Sequence, residues 1–252
     1  MGTGQRKTHW ERVWSEKDEA TTSWFQAAPA VSLDLIERSG TQPGDPVIDV
    51  GGGASRLVDH LLDRGFTDVT VLDISAAGLQ RAQRRLGERA AAVHWIEADA
   101  TEFRPRRAYR LWHDRAVFHF LLDAADRARY LAVMDQALAS DGQAVIATFG
   151  PDGPLKCSGL DTVRYSAGEL AAELGSRWRL VEQRAEAHRT PLGREQHFGY
   201  GRFAERVLPR ALALLDEALR PVALSEAAGA GRELARPAPR TPVPAPHVHT
   251  TS

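Results

Sequence analysis

The stretch Val47-Ile-Asp-Val-Gly-Gly-Gly-Ala-Ser55 decides the fold of this chain. A short apolar run ends in three consecutive glycines, and residues 56–64 then carry apolar side chains at helical spacing. A strand, a glycine turn and a helix in this order let the backbone approach a ligand closely at the start of the helix. The stretch therefore predicts the first strand, turn and helix of a ligand-binding α/β fold.

Strand-like and helix-like segments alternate on either side of this turn, which is typical of a parallel sheet covered by helices. The strand-like runs are 46–50, 69–72, 93–96, 109–112 and 143–149. Two further runs, 178–187 and 196–203, flank a turn with Pro191 and Gly193 and indicate an antiparallel hairpin. We predict an α/β fold with a doubly wound, mostly parallel seven-stranded sheet and an antiparallel last strand.

The same patterns divide the chain into four regions. We predict an N-terminal helical segment at 1–45, a core at 46–204, a C-terminal helix at 205–224 and a flexible tail at 225–252. The tail is rich in proline and alanine, and such a composition buries too little apolar surface to offset the entropy of ordering it.

Composition and charge narrow the class of protein. The chain has 252 residues and a net charge of −1, from 32 basic and 33 acidic side chains, so no global field favours nucleic acid or anionic membranes. A single cysteine excludes an intramolecular disulfide framework and a multi-cysteine zinc site. No apolar run approaches the roughly 20 residues that span a bilayer, and the polar N-terminus lacks a signal peptide's apolar core. We expect a soluble cytoplasmic protein with no metal, nucleic-acid or membrane partner, and leave its oligomeric state open.

Two acidic residues accompany the glycine turn. Asp49 lies two residues before Gly51, and Asp73 follows Gly53 by 20 residues, where a carboxylate commonly binds ribose hydroxyls. A dinucleotide fingerprint, G-x-G-x-x-G, would place a third glycine where this chain has Arg56. An acid at position 49 also suits a ligand that presents an ammonium group better than one that presents phosphates. The dinucleotide interpretation is therefore disfavoured.

The order and spacing of these motifs resemble the class I S-adenosylmethionine-dependent methyltransferases over about residues 45–203. The resemblance implies that the glycine turn underlies the methionine part of S-adenosylmethionine. It also implies that Asp73 in VTVLDIS holds the ribose and that Asp99 in WIEADA lies beside the adenine amino group. LWHD at 111–114 and GQAVIA at 142–147 match the motifs of strands four and five. The cofactor-binding residues that we predict are Trp14, Trp24, Asp49, Gly51, Gly53, Asp73, Ile74, Asp99, Ala100 and His113.

The N-terminal segment carries a second resemblance. HWERVW at 9–14, WFQ at 24–26 and WHDR at 112–115 are similar to the thiopurine and thiol methyltransferase branch, whose spaced tryptophans form a lid over the cofactor. The gap between Trp14 and Trp24 is longer here, and the loop with Cys157 is not a feature of that branch. Small lysine methyltransferases have a similar layout, but their strand-four motif of acid-Lys-Gly-Thr differs from Asp114-Arg-Ala-Val.

The candidates for chemistry follow the predicted fourth and fifth strands. We predict His113 and Asp114 as catalytic, because an imidazole has an ordinary pKa near 6.5 and suits a general base. The predicted substrate-binding residues are Trp10, Arg115, His119 and Cys157. Structural roles compete with each of these: the histidines would also orient a loop, Cys157 would fill a small space, and the tryptophans would pack a helix face.

We expect an S-adenosylmethionine-dependent methyltransferase that transfers its methyl group to a small nucleophile, in one version a soft thiol or selenol. The reasons are the cofactor motifs and the absence of a large insertion for recognising a macromolecule. A protein lysine methyltransferase and a cofactor-binding module that has lost turnover are the alternatives.

Overall fold

A seven-stranded sheet runs through the computed structural model of the protein, which describes residues 1–206. The strands are β1 (Val47–Val50), β2 (Val69–Asp73), β3 (Val93–Glu97), β4 (Tyr109–Arg115), β5 (Leu138–Phe149), β6 (Trp178–Arg189) and β7 (Glu195–Glu205). Their order in the sheet is β3-β2-β1-β4-β5-β7-β6. Strands β1 to β5 are parallel, and β7 is antiparallel to both of its neighbours. The predicted fold class, with its antiparallel last strand, is confirmed.

Helices cover both faces of this sheet. They are α1 (Thr3–Glu16), α2 (Ala30–Arg38), α3 (Leu57–Asp63), α4 (Ala76–Leu86), α5 (Ala124–Ala137) and α6 (Ala167–Leu174). Apolar side chains of α2, α3 and α4 pack on one face, and those of α5 and α6 pack on the other. Within residues 1–206, no helix is both long and apolar enough to cross a membrane.

The alternation of side chains along each strand decides which layer a residue joins. In β1, Val47 packs in the layer of α2 to α4, whereas Ile48 and Val50 pack in the layer of α5 and α6. Asp49 therefore faces the same side as Val47. Both layers of the core are built by short apolar runs that are buried on both faces, as parallel strands usually are.

Strand β4 continues beyond its predicted end at residue 112 and runs to Arg115. His113 pairs with Asp49 in β1 and with Val145 in β5, so it is a strand residue and not part of a loop. Because adjacent strand residues point to opposite faces, His113 and Asp114 lie in different layers. This corrects the expectation that the two residues follow the strand.

The two chain ends differ in how far the structure describes them. The predicted N-terminal segment contains α1 and α2. Strand β7 runs to Glu205, so it includes the first residue of the predicted C-terminal helix at 205–224. The remainder of that helix and the predicted tail at 225–252 lie outside the described residues.

Candidate active site

A cavity lies at the carboxyl ends of β1 to β4, where open α/β sheets bind their ligands. Helix α1 covers it, and the glycine turn and the segments after β2, β3 and β4 form its floor and sides. The predicted site residues that line this cavity are Trp10, Trp14, Trp24, Gly51, Asp73, Ile74, Asp99, Ala100, Arg115 and Cys157. The fold thus brings together residues that are far apart in the sequence.

The glycine turn gives α1 and the acids of the site room to approach the backbone. Gly51 and Gly53 have φ angles of 68° and 43°, a region that favours glycine. A Cβ atom on Gly53 would lie 3.0 Å from Asp73 Oδ2 and 3.0 Å from Trp14 Cζ2. The turn therefore holds a carboxylate on one side and an indole ring on the other.

Asp73 ends β2 as a buried carboxyl group, and the described part of the chain, residues 1–206, places no cation beside it. Its Oδ1 accepts a hydrogen bond from the backbone N–H of Ser75 at 2.8 Å. Burial raises the pKa of Asp73 to about 7, against the lowering effect of that hydrogen bond, and the negative charges of Asp49 and Glu11 raise it further. The carboxyl group of Asp73 can form hydrogen bonds with the hydroxyls of a ligand. Its own charge depends on pH near neutrality.

Asp99, two residues after β3, is in the opposite electrostatic situation. Its Oδ1 accepts hydrogen bonds at 2.8 Å from both the backbone N–H and the hydroxyl of Thr101, and its Oδ2 accepts one from Arg6 Nε at 2.9 Å. Burial alone would raise the pKa of Asp99, but these hydrogen bonds and the charge of Arg6 outweigh it and lower the pKa. Asp99 is therefore a fixed negative charge.

Helix α1 is attached to the core at three points. Arg6 donates from Nη1 to Asp126 on α5 at 2.8 Å, in addition to its bond with Asp99. Glu11 accepts from the backbone N–H groups of Ala76 and Ala77, at 2.7 and 3.1 Å, in the first turn of α4. Trp14 packs on the backbone of the glycine turn and on α4. An acidic side chain at the start of a helix is favourable because the free N–H groups there carry partial positive charge.

One end of the cavity, which we call the acceptor end, is aromatic and is formed by Trp10, Trp24 and Phe120. The rings of Trp10 and Phe120 meet edge to face with centroids 5.1 Å apart, and Trp24 packs against Trp10 at 6.0 Å. Cys157 lies at the same end as a buried thiol, and burial raises its pKa to about 11. At neutral pH this thiol is protonated, so it is not a thiolate nucleophile.

Arg115, the last residue of β4, supplies the positive charge at this end. Its Nε donates to the hydroxyl of Tyr200 at 2.9 Å and its Nη1 to the carbonyl of Trp24 at 3.0 Å. Its Nη2 is 3.6 Å from a carboxylate oxygen of Glu186, beyond hydrogen-bond length, and makes no hydrogen bond within residues 1–206. That nitrogen is buried, and Glu186 is its nearest balancing charge.

Five predicted residues do not line this cavity, and the two proposed as catalytic are among them: Asp49, Gly53, His113, Asp114 and His119. Asp114 is 0% exposed, and its carboxylate accepts from Tyr130 and from the backbone N–H groups of Val117 and Phe118. His119 is also 0% exposed and accepts from the Phe149 N–H, and burial lowers its pKa to about 3. Asp114 and His119 therefore have structural positions that do not reach the cavity.

His113 turns away from the acceptor end. It lines a smaller second cavity with Asp49, beneath the glycine turn, and its ring nitrogens bond Asp49 and Ser32. The geometry is inconsistent with the expected role of His113 as general base for an acceptor beside Trp10 and Cys157.

Sequence reasoning missed Arg6, Glu11 and Ser32. The signal for Arg6 was present, since Arg6, Trp10 and Trp14 are spaced by four residues and share one face of a helix. A buried arginine on an otherwise aromatic helix face indicates an acidic partner. That partner is Asp99, which the sequence motifs had already identified.

Comparison with known proteins finds a family model that matches part of the chain. Residues 47–142 match the family model described as a methyltransferase domain. The chain is 26% identical over 152 residues to an eEF1A lysine and N-terminal methyltransferase of Danio rerio, which covers 59% of this chain and 22% of the relative. The corresponding protein of Mus musculus is 23% identical over 138 residues, covering 54% of this chain and 19% of the relative. The chain spans about a fifth of the length of these curated relatives.

Solved structures share this fold. One comes from work on the conversion of a disulfide bond into a thioacetal group during echinomycin biosynthesis; it is 18% identical, has a TM-score of 0.64, and the match covers 84% of this chain and 96% of that one. The 1,6-didemethyltoxoflavin-N1-methyltransferase of Burkholderia thailandensis, solved with S-adenosylhomocysteine, is 19% identical with a TM-score of 0.59 and coverages of 81% and 91%. The N-methyltransferase NodS of Bradyrhizobium japonicum, also with S-adenosylhomocysteine, is 18% identical with a TM-score of 0.63 and coverages of 81% and 99%. At these identities the likeness establishes the shared fold.

Proposed function

We propose that this chain, whose residues 47–142 form a class I S-adenosylmethionine-dependent methyltransferase domain, transfers the methyl group of S-adenosylmethionine to a small nucleophile held under helix α1. The observation that carries the proposal is the single cavity that joins Asp73 and Asp99 to the aromatic end at Trp10 and Trp24. The cofactor supplies an electrophilic methyl group, and the chain aligns an acceptor with it and excludes water.

The donor set of the cavity fits S-adenosylmethionine. Asp73 would hold the ribose hydroxyls, and Asp99 would lie beside the adenine, as the family motifs imply. Between these acids the wall is apolar, which suits a flat nucleobase; the residues are Leu72, Ile74, Ala98, Ala100, Val117 and Leu121. Buried carboxylates at both edges of an apolar slot match a nucleoside better than a phosphate-rich ligand.

The acceptor end supports a nucleophile that needs no general base. The titratable side chains that line the cavity within residues 1–206 are Arg6, Asp73, Asp99, Arg115 and Cys157. Asp73 and Asp99 are assigned to the cofactor, Arg6 is paired with Asp99, and Cys157 is a protonated thiol. A thiolate or selenolate attacks without losing a proton, and Arg115, whose charge is shared with Glu186, lines the same cavity. The structural neighbour from work on disulfide-to-thioacetal conversion is a precedent for sulfur chemistry on this fold.

A protein lysine methyltransferase is the second candidate. The curated relatives methylate lysine and N-terminal amines of eEF1A, according to their names. The aromatic rings of Trp10, Trp24 and Phe120 would also suit an amine, because the face of an aromatic ring attracts cations. Helix α1 weighs against this candidate, since it covers the cavity that an extended peptide would have to enter.

The test is methyl transfer from labelled S-adenosylmethionine to a panel of thiols, selenide, small amines and lysine peptides. We expect label in a small thiol or selenide, and label in the peptides alone would favour the second candidate. Asp73→Ala should abolish transfer and weaken S-adenosylhomocysteine binding in calorimetry. Asp161→Ala, at an exposed position of the same domain, is the matched control. Absence of S-adenosylhomocysteine binding by the unaltered protein would overturn the proposal.

We further propose that residues 1–26 act as a lid for this reaction. The three attachments of α1 described above hold the helix across the cavity. One of them is the bond from Arg6 to Asp99, the residue that we assign to the adenine of the cofactor. Limited proteolysis of the full chain tests this: cleavage between residues 10 and 25 should slow when S-adenosylhomocysteine is added. An unchanged cleavage pattern at saturating ligand would contradict the lid.

A further inference from the structure

A chain of three buried side chains ends at the glycine turn. Ser32 Oγ on α2 lies 2.9 Å from His113 Nε2, and His113 Nδ1 lies 2.7 Å from Asp49 Oδ1. The three residues are 0%, 2% and 3% exposed. Each comes from a different element, so their meeting is a product of the fold and not of local sequence. Burial makes such a chain of hydrogen bonds rigid.

The hydrogen bonds assign the atoms of His113. A carboxylate only accepts, so Nδ1 of the ring carries a proton and donates it to Asp49 Oδ1. The other ring nitrogen is held by the hydroxyl of Ser32. With both nitrogens occupied, the ring cannot flip, and Oδ1 of Asp49 is committed to His113.

The second oxygen of Asp49 lies against the backbone of the glycine turn. A Cβ atom on Gly52 would come within 2.6 Å of Asp49 Oδ2 and within 2.7 Å of Val71 Cγ1. Glycine at position 52 therefore leaves the space that Oδ2 uses. Asp49, Gly52, His113 and Ser32 all line the second cavity, which shares Trp14, Trp24, Gly51 and Arg115 with the main one.

We infer that His113, held by Ser32, is a positioning residue that orients Asp49 so that its Oδ2 binds the ammonium group of S-adenosylmethionine. This inference rests on the proposed function and adds to it a role for two residues that the acceptor does not touch. His113 acts through Asp49: it fixes one oxygen of the carboxylate and so directs the other.

The order Ser–His–Asp is also that of the serine hydrolases, but the surroundings argue for orientation over nucleophilic attack. In a hydrolase the serine oxygen is presented to a substrate carbonyl. Ser32 on α2 is fully buried, and its hydroxyl is directed to the ring of His113. Both ends of the chain of hydrogen bonds line the second cavity, but it is the carboxylate of Asp49 that lies against the glycine turn, whose Gly51 also lines the main cavity.

The test compares two ligands by calorimetry on the full chain: S-adenosylhomocysteine and its analogue that lacks only the α-amino group. We expect His113→Asn to weaken S-adenosylhomocysteine about tenfold, the low end of what losing an orienting partner costs a bound ligand. The analogue should change by less than about twofold, since it has no ammonium group for Asp49 to bind. Ser32→Ala should give a smaller loss in the same direction.

Two control variants distinguish the loss of an oriented Asp49 from a general structural effect of the substitution. His188→Asn removes another buried imidazole, bonded to the carbonyl of Ser23, and should leave both affinities unchanged. The double variant Asp49→Asn/His113→Asn should bind S-adenosylhomocysteine no more weakly than Asp49→Asn alone, because His113 acts only through Asp49. Equal losses for both ligands in His113→Asn, or additive losses in the double variant, would overturn the inference. If the unaltered protein binds neither ligand, the proposed function fails and the inference falls with it.

Discussion

Asp73 and Asp99 have the same side chain, follow neighbouring parallel strands and line the same cavity, yet their carboxyl groups behave oppositely. Burial dominates at Asp73, where the nearest charges are the negative ones of Asp49 and Glu11, and its pKa rises to about 7. At Asp99 the two hydrogen bonds from Thr101, and after them the hydrogen bond and charge of Arg6, overcome burial, and its pKa falls. Hydrogen-bond donors and a nearby cation together decide the outcome, and the cation comes from α1.

The largest expected effect is the stability gained when Asp73 is made neutral. The folded pKa of Asp73 is about 7 and its ordinary value is 3.8, so between these pH values the folded protein holds a proton that the unfolded chain releases. The contribution of Asp73 to stability is therefore highest below pH 4 and falls as the pH rises toward 7, by at most about 4 kcal/mol at about 1.4 kcal/mol per pKa unit. Asp73→Asn should remove this loss. Urea unfolding should find the variant more stable than its parent at pH 8 and equal at pH 4; a difference independent of pH would refute the shifted pKa.

Next in size is the loss of the cation at the other acid. Arg6→Leu leaves Asp99 and Asp126 buried without their shared partner, which should cost about 3 kcal/mol in urea unfolding at pH 7. Arg129→Leu is the matched control, because Arg129 also pairs with Asp126 but is half exposed, and should cost less than about 1 kcal/mol. Equal costs for the two variants would show that Arg6 is no more than a surface partner.

Neutralising Asp99 should have the opposite sign to neutralising Asp73. Asp99→Asn loses charged hydrogen bonds with Arg6 and Thr101, so it should be less stable than its parent by about 2 kcal/mol at pH 7. A lowered folded pKa gives stability that is present above the ordinary carboxyl pKa and is lost as the pH falls through the folded one. The deficit of Asp99→Asn should accordingly vanish in acid. If both asparagine variants shift stability in the same direction at pH 8, the contrast between the two acids is wrong.

The smallest expected effect is that of Glu11, whose negative charge contributes to the raised pKa of Asp73. Glu11→Gln keeps an acceptor for the first turn of α4 but removes the negative charge there, at a cost of about 0.5 kcal/mol. Because the charge of Glu11 also raises the pKa of Asp73, the stability loss between pH 4 and 7 should begin to level off at a lower pH in this variant. Glu16→Gln, at an exposed position in the last turn of the same helix, is the control and should leave the pH profile unchanged.

The fold and the cofactor acids could be predicted from sequence because they depend on local order. Asp49, Asp73 and the glycine turn are fixed by the alternation of strands and helices, and each motif contains its own strand end. The roles of His113 and Asp114 could not be predicted, because three more residues of β4 place them in opposite layers of the sheet. The difference in pKa between Asp73 and Asp99 could not be predicted either, because Arg6, the cation beside Asp99, lies 93 residues before it in the chain.

The packing of Trp14 on bare glycine backbone makes the protein its own optical probe. Three of its six tryptophans, Trp10, Trp14 and Trp24, line the cavity, whereas Trp112 and Trp178 are buried in the core. Indole emission responds to changes in polarity and contact around the ring, so a ligand that lifts or presses Trp14 against the turn changes the intrinsic fluorescence. The association rate of a ligand with this cavity is thereby measurable by stopped-flow mixing without any attached dye.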